Sequence, residues 1–395
     1  MTSLSDKEKV LVASGAGFVL VIATFTFISF STVTYSRGNA NKAAVSTYTT
    51  ASTSTVARTS MPYGVVTHIQ TPTTVHAIYM TSWVAGTLSL RTHVLNLLDT
   101  TSANAVVIDV KDYSGNITFD VQNPTLAAYG SVQVRVRDLP ELIASLHAKG
   151  IYVIARIAVF QDAYFVKYRP DLAIQNAAGT KTWADDKGIS WIDPAARDYW
   201  NYIALIGDET YAVGFDELNF DYIRYPSDGN LHDISYPWTK ADTKADVLVS
   251  FFQFLHNHFS PENIPISADL FGQTTTAPDD MGIGQVFVNA LPYFNYIAPM
   301  VYPSAYITNT LGYKNPAAYP YQIITYALTS ALKRASLASS TPNKIRPWLQ
   351  DFNLGATYGV EQVEAEEKAV TDLGLNSWMM WDPNNVYTVE ALGTK

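Results

Sequence analysis

The chain has 395 residues, 48% of them hydrophobic and 15% charged, with a net charge of −9 and no cysteine. That length holds one large domain or two ordinary ones. The charge argues against nucleic acid or an anionic membrane surface as partner and favours a neutral or mildly charged substrate. The missing cysteine excludes a disulfide framework, a thiolate zinc site and a cysteine nucleophile.

The first element is a charge-free run from Val10 to Ser36, rich in Val, Ile, Phe and Ala. A bilayer needs about 20 apolar residues to span, against about 7–15 for a cleavable signal core, so residues 10–36 are expected to cross the lipid bilayer as an uncleaved anchor. Lys7 and Lys9 precede the run and favour an orientation with the rest of the chain outside the cytoplasm, anchored at the cell surface, or secreted if the segment is cleaved. Residues 37–74 are dominated by Thr, Ser and Ala, with no amphipathic period; they read as a disordered linker.

From His76 a strand-then-helix alternation runs to the C-terminus. Strands are predicted at 76–83, 105–112, 151–160, 214–225, 265–272, 296–304, 345–352 and 376–382. Helices are predicted at 89–99, 138–149, 194–206, 239–258, 321–335 and 360–373. Asp138 with Glu141 has the spacing of a capping box, and Gly150 and Gly374 sit where helices end. A hairpin-like insert with Ser114, Gly115 and Asn116 at its turn follows the second strand. Eight strands with interposed helices predict a (β/α)₈ TIM barrel over 75–395, lacking a full helix after the last strand. The alternative is a doubly wound sheet, but no Gly-rich phosphate turn follows the first strand, and no nucleotide cofactor is expected.

The fourth strand is the least ordinary. Alternate side chains share a face, so Glu217, Asn219 and Asp221 point one way, on an otherwise apolar strand. Carboxylates without partners are costly to bury, so a polar cavity at the strand's end is expected. Other strand ends are polar too: Asp109, Lys111 and Asp112 on the second, Gln161 and Asp162 after the third, Asp269 on the fifth, Tyr302 on the sixth, Gln350 and Asp351 on the seventh, and Trp381 and Asp382 on the eighth. Asp112 and Asp351 are better read as turn or cap residues. The seven histidines are scattered, and no metal is expected. Paired acids without a metal or a Ser/Cys centre fit glycoside hydrolysis, and the aromatics suit stacking on sugar rings.

The region 76–382 resembles a glycoside hydrolase family of extracytoplasmic barrel proteins, distantly similar to the α-amylase-like and chitinase-like barrels. The resemblance rests on YMTSW (79–83), VVIDVKDYSGNITF (106–119), RIAVFQD (156–162), WIDP (191–194), GFDELNFDYIRYP (214–226), SADLFG (267–272), APMVYPS (298–304) and WMMWDP (378–383). It implies a glycan-directed barrel. Similar barrels carry a nucleophilic Asp on strand four and the donor on strand five or six; this implies Asp221 as nucleophile or base and Asp269 as acid. Glu217 is a third candidate, deeper in the strand. Asp109, Lys111, Asp162, Arg224, Tyr302, Trp381 and Asp382 are candidates for sugar binding, with Arg224 folding back onto Asp221. The expected function is a membrane-tethered glycosidase acting on a cell-wall or surface polysaccharide; the alternative is a non-catalytic glycan-binding barrel. A metal-dependent deacetylase would need an Asp-His-His cluster that the sequence lacks.

Overall fold

The computed structural model describes Tyr63 and residues 66–394; the predicted membrane segment and most of the linker lie outside them. Among the described residues no helix is long and apolar enough to cross a membrane. Eight parallel strands close into a barrel in chain order. They are β1 (His76–Met80), β2 (Ala105–Lys111), β3 (Tyr152–Ala158), β4 (Glu217–Asp221), β5 (Ile266–Phe271), β6 (Tyr296–Met300), β7 (Trp348–Gln350) and β8 (Trp378–Trp381). β1 pairs with both β2 and β8, which closes the ring. All eight predicted strands are present, and each is shorter than its apolar run.

The shortening has local causes. β4 stops at Asp221 because Tyr222 takes φ 53°, outside the extended range. β7 is three residues long, and a single residue pair, Met300 with Trp348, joins it to β6. Pro299 and Pro347 flank that pair and have no N–H to give a ladder.

The long helices pack outside the ring. Lys244–Phe259 shows the pattern: Thr243 caps it by accepting from the Asp246 N–H at 3.1 Å, and Val247, Leu248, Phe251, Phe252, Leu255 and Phe259 form the buried stripe. Fully burying one such side chain contributes about 1.5–3 kcal/mol. The predicted capping box at Leu139–His147 is not made. Arg91 holds the Asp138 carboxylate through two N–H bonds, at 3.0 and 2.6 Å, so it cannot serve the helix end. Gly150 and Gly374 do take left-handed backbone, at φ 73° and 76°. After β8 the described residues make a single helical turn at Val389–Ala391 and a bridge from Thr394 back to Thr101.

The insert after β2 folds back as predicted, with an antiparallel bridge between Lys111 and Ile117. Gly115 at its turn has φ 83° and lies so close to the Asp162 carboxylate that a Cβ would overlap it.

Two apolar clusters result. The larger fills the layer between strands and helices. The smaller lies inside the barrel, around Ala77, Tyr79, Val107, Ile154, Ala298, Trp348 and Met379. Residues 66–74, assigned by composition to the linker, are tied to the barrel instead. The Ile69 N–H donates to Asp216 at 2.7 Å, Thr71 bonds the Tyr152 hydroxyl at 2.9 Å, and Ile69 packs against the inner cluster.

Candidate active site

Chemistry in barrels of this kind sits at the C-terminal ends of the strands. Strand register decides which inward side chains meet there. Asp109 on β2 lies opposite Arg156 on β3, which lies opposite Asn219 on β4. Asn219 pairs with Ser267 and Phe220 with Ala268, so one residue further along Asp221 stands beside Asp269.

Arg156 is the hub. It donates to Asp109 Oδ1 at 2.7 Å and binds Asp221 Oδ2 through both Nη2 and Nε, the latter at 3.1 Å. Asp269 Oδ2 lies 3.9 Å from the same Nε. Those two distances together cap the separation of the Asp221 and Asp269 oxygens at about 7 Å. Burial works against the Arg156 charge, but Asp221 and Asp109 more than offset it and raise its pKa.

Asp269 is held differently. Its Oδ1 accepts from Trp348 Nε1 at 2.7 Å and Asn219 Nδ2 at 2.9 Å. Burial first, and the neighbouring Asp221 charge second, push its carboxyl well above the ordinary range. Asp109 is also raised, by burial, while its Oδ2 accepts from the Tyr79 hydroxyl. Trp381 stacks on Tyr79 with ring centres 4.0 Å apart, and Arg156 sits 5.0 Å from the Trp381 ring centre. Tyr302, at the end of β6, is partly exposed and shares the field of Asp269 and Asp221. Asp221 is 6% exposed and Asp269 1%.

Other sequence candidates fall elsewhere. Glu217 lies one layer deeper and is fully buried. It is held by Arg346 at 3.2 and 3.0 Å, Ser267 at 2.6 Å and Tyr152 at 3.1 Å. That makes it a floor under the site, not a reacting group. Lys111 and Asp162 do not line the mouth; they form a buried ion pair at 2.9 Å. Asp162 also caps Ala163–Tyr168, accepting from the Phe165 N–H at 2.6 Å. Asp382 accepts backbone N–H groups of the turn at 384–386, and burial pushes its pKa up to about 6. Asp351 holds Thr388, and Asp112 holds Ser114 and Arg135, in line with turn and cap roles.

Arg224 does not fold back onto Asp221. It donates to the Tyr225 carbonyl at 3.0 Å and Ser227 Oγ at 3.2 Å. Asp221's partner is Arg156, which is not among the residues expected at the site. One sign of it was available: Arg156 shares a strand face with Tyr152 and Ile154, so a charge there points into the barrel.

A family model described as a putative glycosyl hydrolase domain matches residues 77–387. A comparison with curated proteins finds no match. Among solved structures, the chain is similar to a hypothetical protein from Ruminiclostridium thermocellum, at 27% identity over 52% of this chain and 98% of that one, with a TM-score of 0.45. It is also similar to the spore cortex-lytic enzyme SleL of Bacillus megaterium, at 9% identity over 81% and 72%, TM-score 0.48. A third is the group IV chitinase of Ostrinia furnacalis, at 11% identity over 79% and 92%, TM-score 0.46. On the family match, which spans most of its length, the chain belongs to this family of glycosyl hydrolase domains.

Proposed function

We propose that the barrel is a glycoside hydrolase in which Asp269 donates the proton and Asp221 serves as nucleophile or base. The observation that carries this is the unequal treatment of two adjacent carboxyl groups on one guanidinium. Asp221 takes the guanidinium bonds, while burial and the Asp221 charge favour the protonated form of Asp269. Two acids in environments that separate their roles are what glycosidic cleavage requires. Protonated Asp269 gives its proton to the glycosidic oxygen as the bond to the anomeric carbon breaks. Asp221 either bonds to that carbon or takes a proton from the attacking water. A separation capped at about 7 Å admits retention, which uses about 5–5.5 Å, and the lower end of inversion, at about 6.5–9.5 Å.

The intended substrate is a cell-wall or surface polysaccharide. Residues 10–36 would tether the barrel to the membrane outside the cytoplasm; that part rests on the charge-free run alone. One observation favours the alternative of a non-catalytic glycan-binding barrel: Asp269 is 1% exposed, so a glycosidic oxygen reaches it only if its surroundings open. Turnover of surface polysaccharides by wild type and Asp221→Asn separates the two. The hydrolase reading expects a loss of several orders of magnitude with binding retained. Binding without cleavage by the wild type would establish the alternative.

A further inference from the structure

Arg224 is the guanidinium of the mouth that has no carboxylate of its own. It is 7% exposed, in the loop that leaves β4. Its guanidinium carbon lies 4.6 Å from the Phe271 ring centre, 4.8 Å from that of Trp191 and 5.4 Å from that of Tyr222. Its polar contacts among the described residues are one carbonyl and one hydroxyl, of Tyr225 and Ser227. By contrast Arg156 and Arg135, on the same side of the barrel, each bind carboxylates directly.

The acids near Arg224 are otherwise engaged. Asp221 is held by Arg156. Asp185 accepts from Gln161 Nε2, Trp191 Nε1 and the backbone N–H groups of Lys187 and Ile189. Asp228 acts on Arg224 only through space, without an ion pair. A buried cation without a paired acid is costly. Burial accordingly lowers the Arg224 pKa, and a ligand carboxylate would offset that cost. The aromatic faces hold the guanidinium plane, which prepares it for two parallel N–H bonds to a planar carboxylate. Tyr222 and Phe271 are partly exposed, so the cage has an open side.

We propose that Arg224, with Trp191, Tyr222 and Phe271, forms a subsite for a carboxylate-bearing sugar, a uronic acid, next to the bond cleaved at Asp221. This rests on the glycoside hydrolase reading and names its substrate class. The net charge of −9 does not oppose it, because exposed charges are screened beyond about 8 Å at physiological salt.

The test titrates the full chain with glucuronate and galacturonate against glucose and galactose, followed by tryptophan fluorescence. At least one uronate should bind tenfold or more tighter than its neutral counterpart, and the preference should shrink with added salt. Arg224→Gln should cut the preference for the uronate over its neutral counterpart to less than about twofold. Arg224→Lys, which keeps the charge without the planar fork, should retain part of it and guards against a misfolded Gln variant, checked by thermal melting. Equal affinities in the wild type, or a preference that survives Arg224→Gln, would overturn the proposal. So would an equal preference for glucose 6-sulfate, which would make the site a general anion site. The same titration on Asp221→Asn keeps the two claims apart. A uronate preference there, with no glycan cleaved by the wild type, supports the subsite and rejects the hydrolase.

Discussion

At the scale of single residues, the site turns on Arg156. It holds two buried carboxylates from different strands, so removing it leaves both uncompensated. Breaking a buried pair in this way costs about 3–5 kcal/mol. Arg156→Leu is expected to lose at least that much in urea denaturation, and Arg156→Lys less. A loss below about 1 kcal/mol in Arg156→Leu would show that Asp109 and Asp221 are solvated without it. The pH profile is a second residue-scale consequence. Asp269 is active as an acid only while protonated, and its pKa is raised by burial and by Asp221. Activity should therefore fall as pH rises, along a limb lying well above the ordinary aspartate range. The sign for stability is the same. Between the unfolded and folded pKa values the folded state binds the extra proton, so stability declines as pH rises through that window. Asp269→Asn should remove the high-pH limb in activity and weaken the decline in stability, to which Asp109 and Asp382, also raised by burial, contribute; an unchanged high-pH limb in that variant would assign it to another group.

Much of this site was legible residue by residue. Asp221, Asp269 and Asp109 follow from alternation along strands that end in polar side chains. Arg156 is not evident in the sequence because its partners lie 47 and 65 residues away, and only the register of β2, β3 and β4 brings them together. Arg224 was misplaced for the opposite reason. It is close to Asp221 in sequence, but Tyr222 at φ 53° turns the chain and carries Arg224 onto aromatic rings.

At the scale of elements, the eight strands and six long helices were readable because periodicity and length agreed. Their ends were not. A proline flank shortened β7, a left-handed tyrosine shortened β4, and a competing arginine took Asp138 from its helix. The linker's inner end is not evident from composition, because it is tied to the barrel by a backbone N–H, a threonine and the His68 ring, which stacks on Tyr211 at 3.9 Å and bonds the Phe215 carbonyl at 3.1 Å. Asp216 binds the Ile69 N–H at 2.7 Å as well as Val153 N–H at 2.8 Å and His147 at 2.9 Å. Hydrogen bonds to charged groups are worth about 1.5–3 kcal/mol each. A chain starting at Val75 should therefore be less stable than one starting at Met61, by about 2 kcal/mol or more in denaturant unfolding. Equal midpoints would mean that residues 66–74 add nothing to the barrel.

At the scale of the whole molecule, the anchor and the barrel make separate claims. If residues 10–36 stay in the membrane, the intact chain should sediment with membranes and resist extraction by high salt. N-terminal sequencing of the mature protein should then find residues before Arg37; a start at or beyond Arg37 would mean cleavage and secretion. The barrel's claim is that two acids with different environments divide the labour of cleaving a glycosidic bond. The most direct measurement is kcat/KM for Asp269→Asn on a poor and an activated leaving group of the same sugar. The account predicts near-complete loss on the natural linkage and substantial retention on an activated aryl glycoside, which needs little protonation. Equal losses on both substrates would contradict it and remove Asp269 from the role of proton donor.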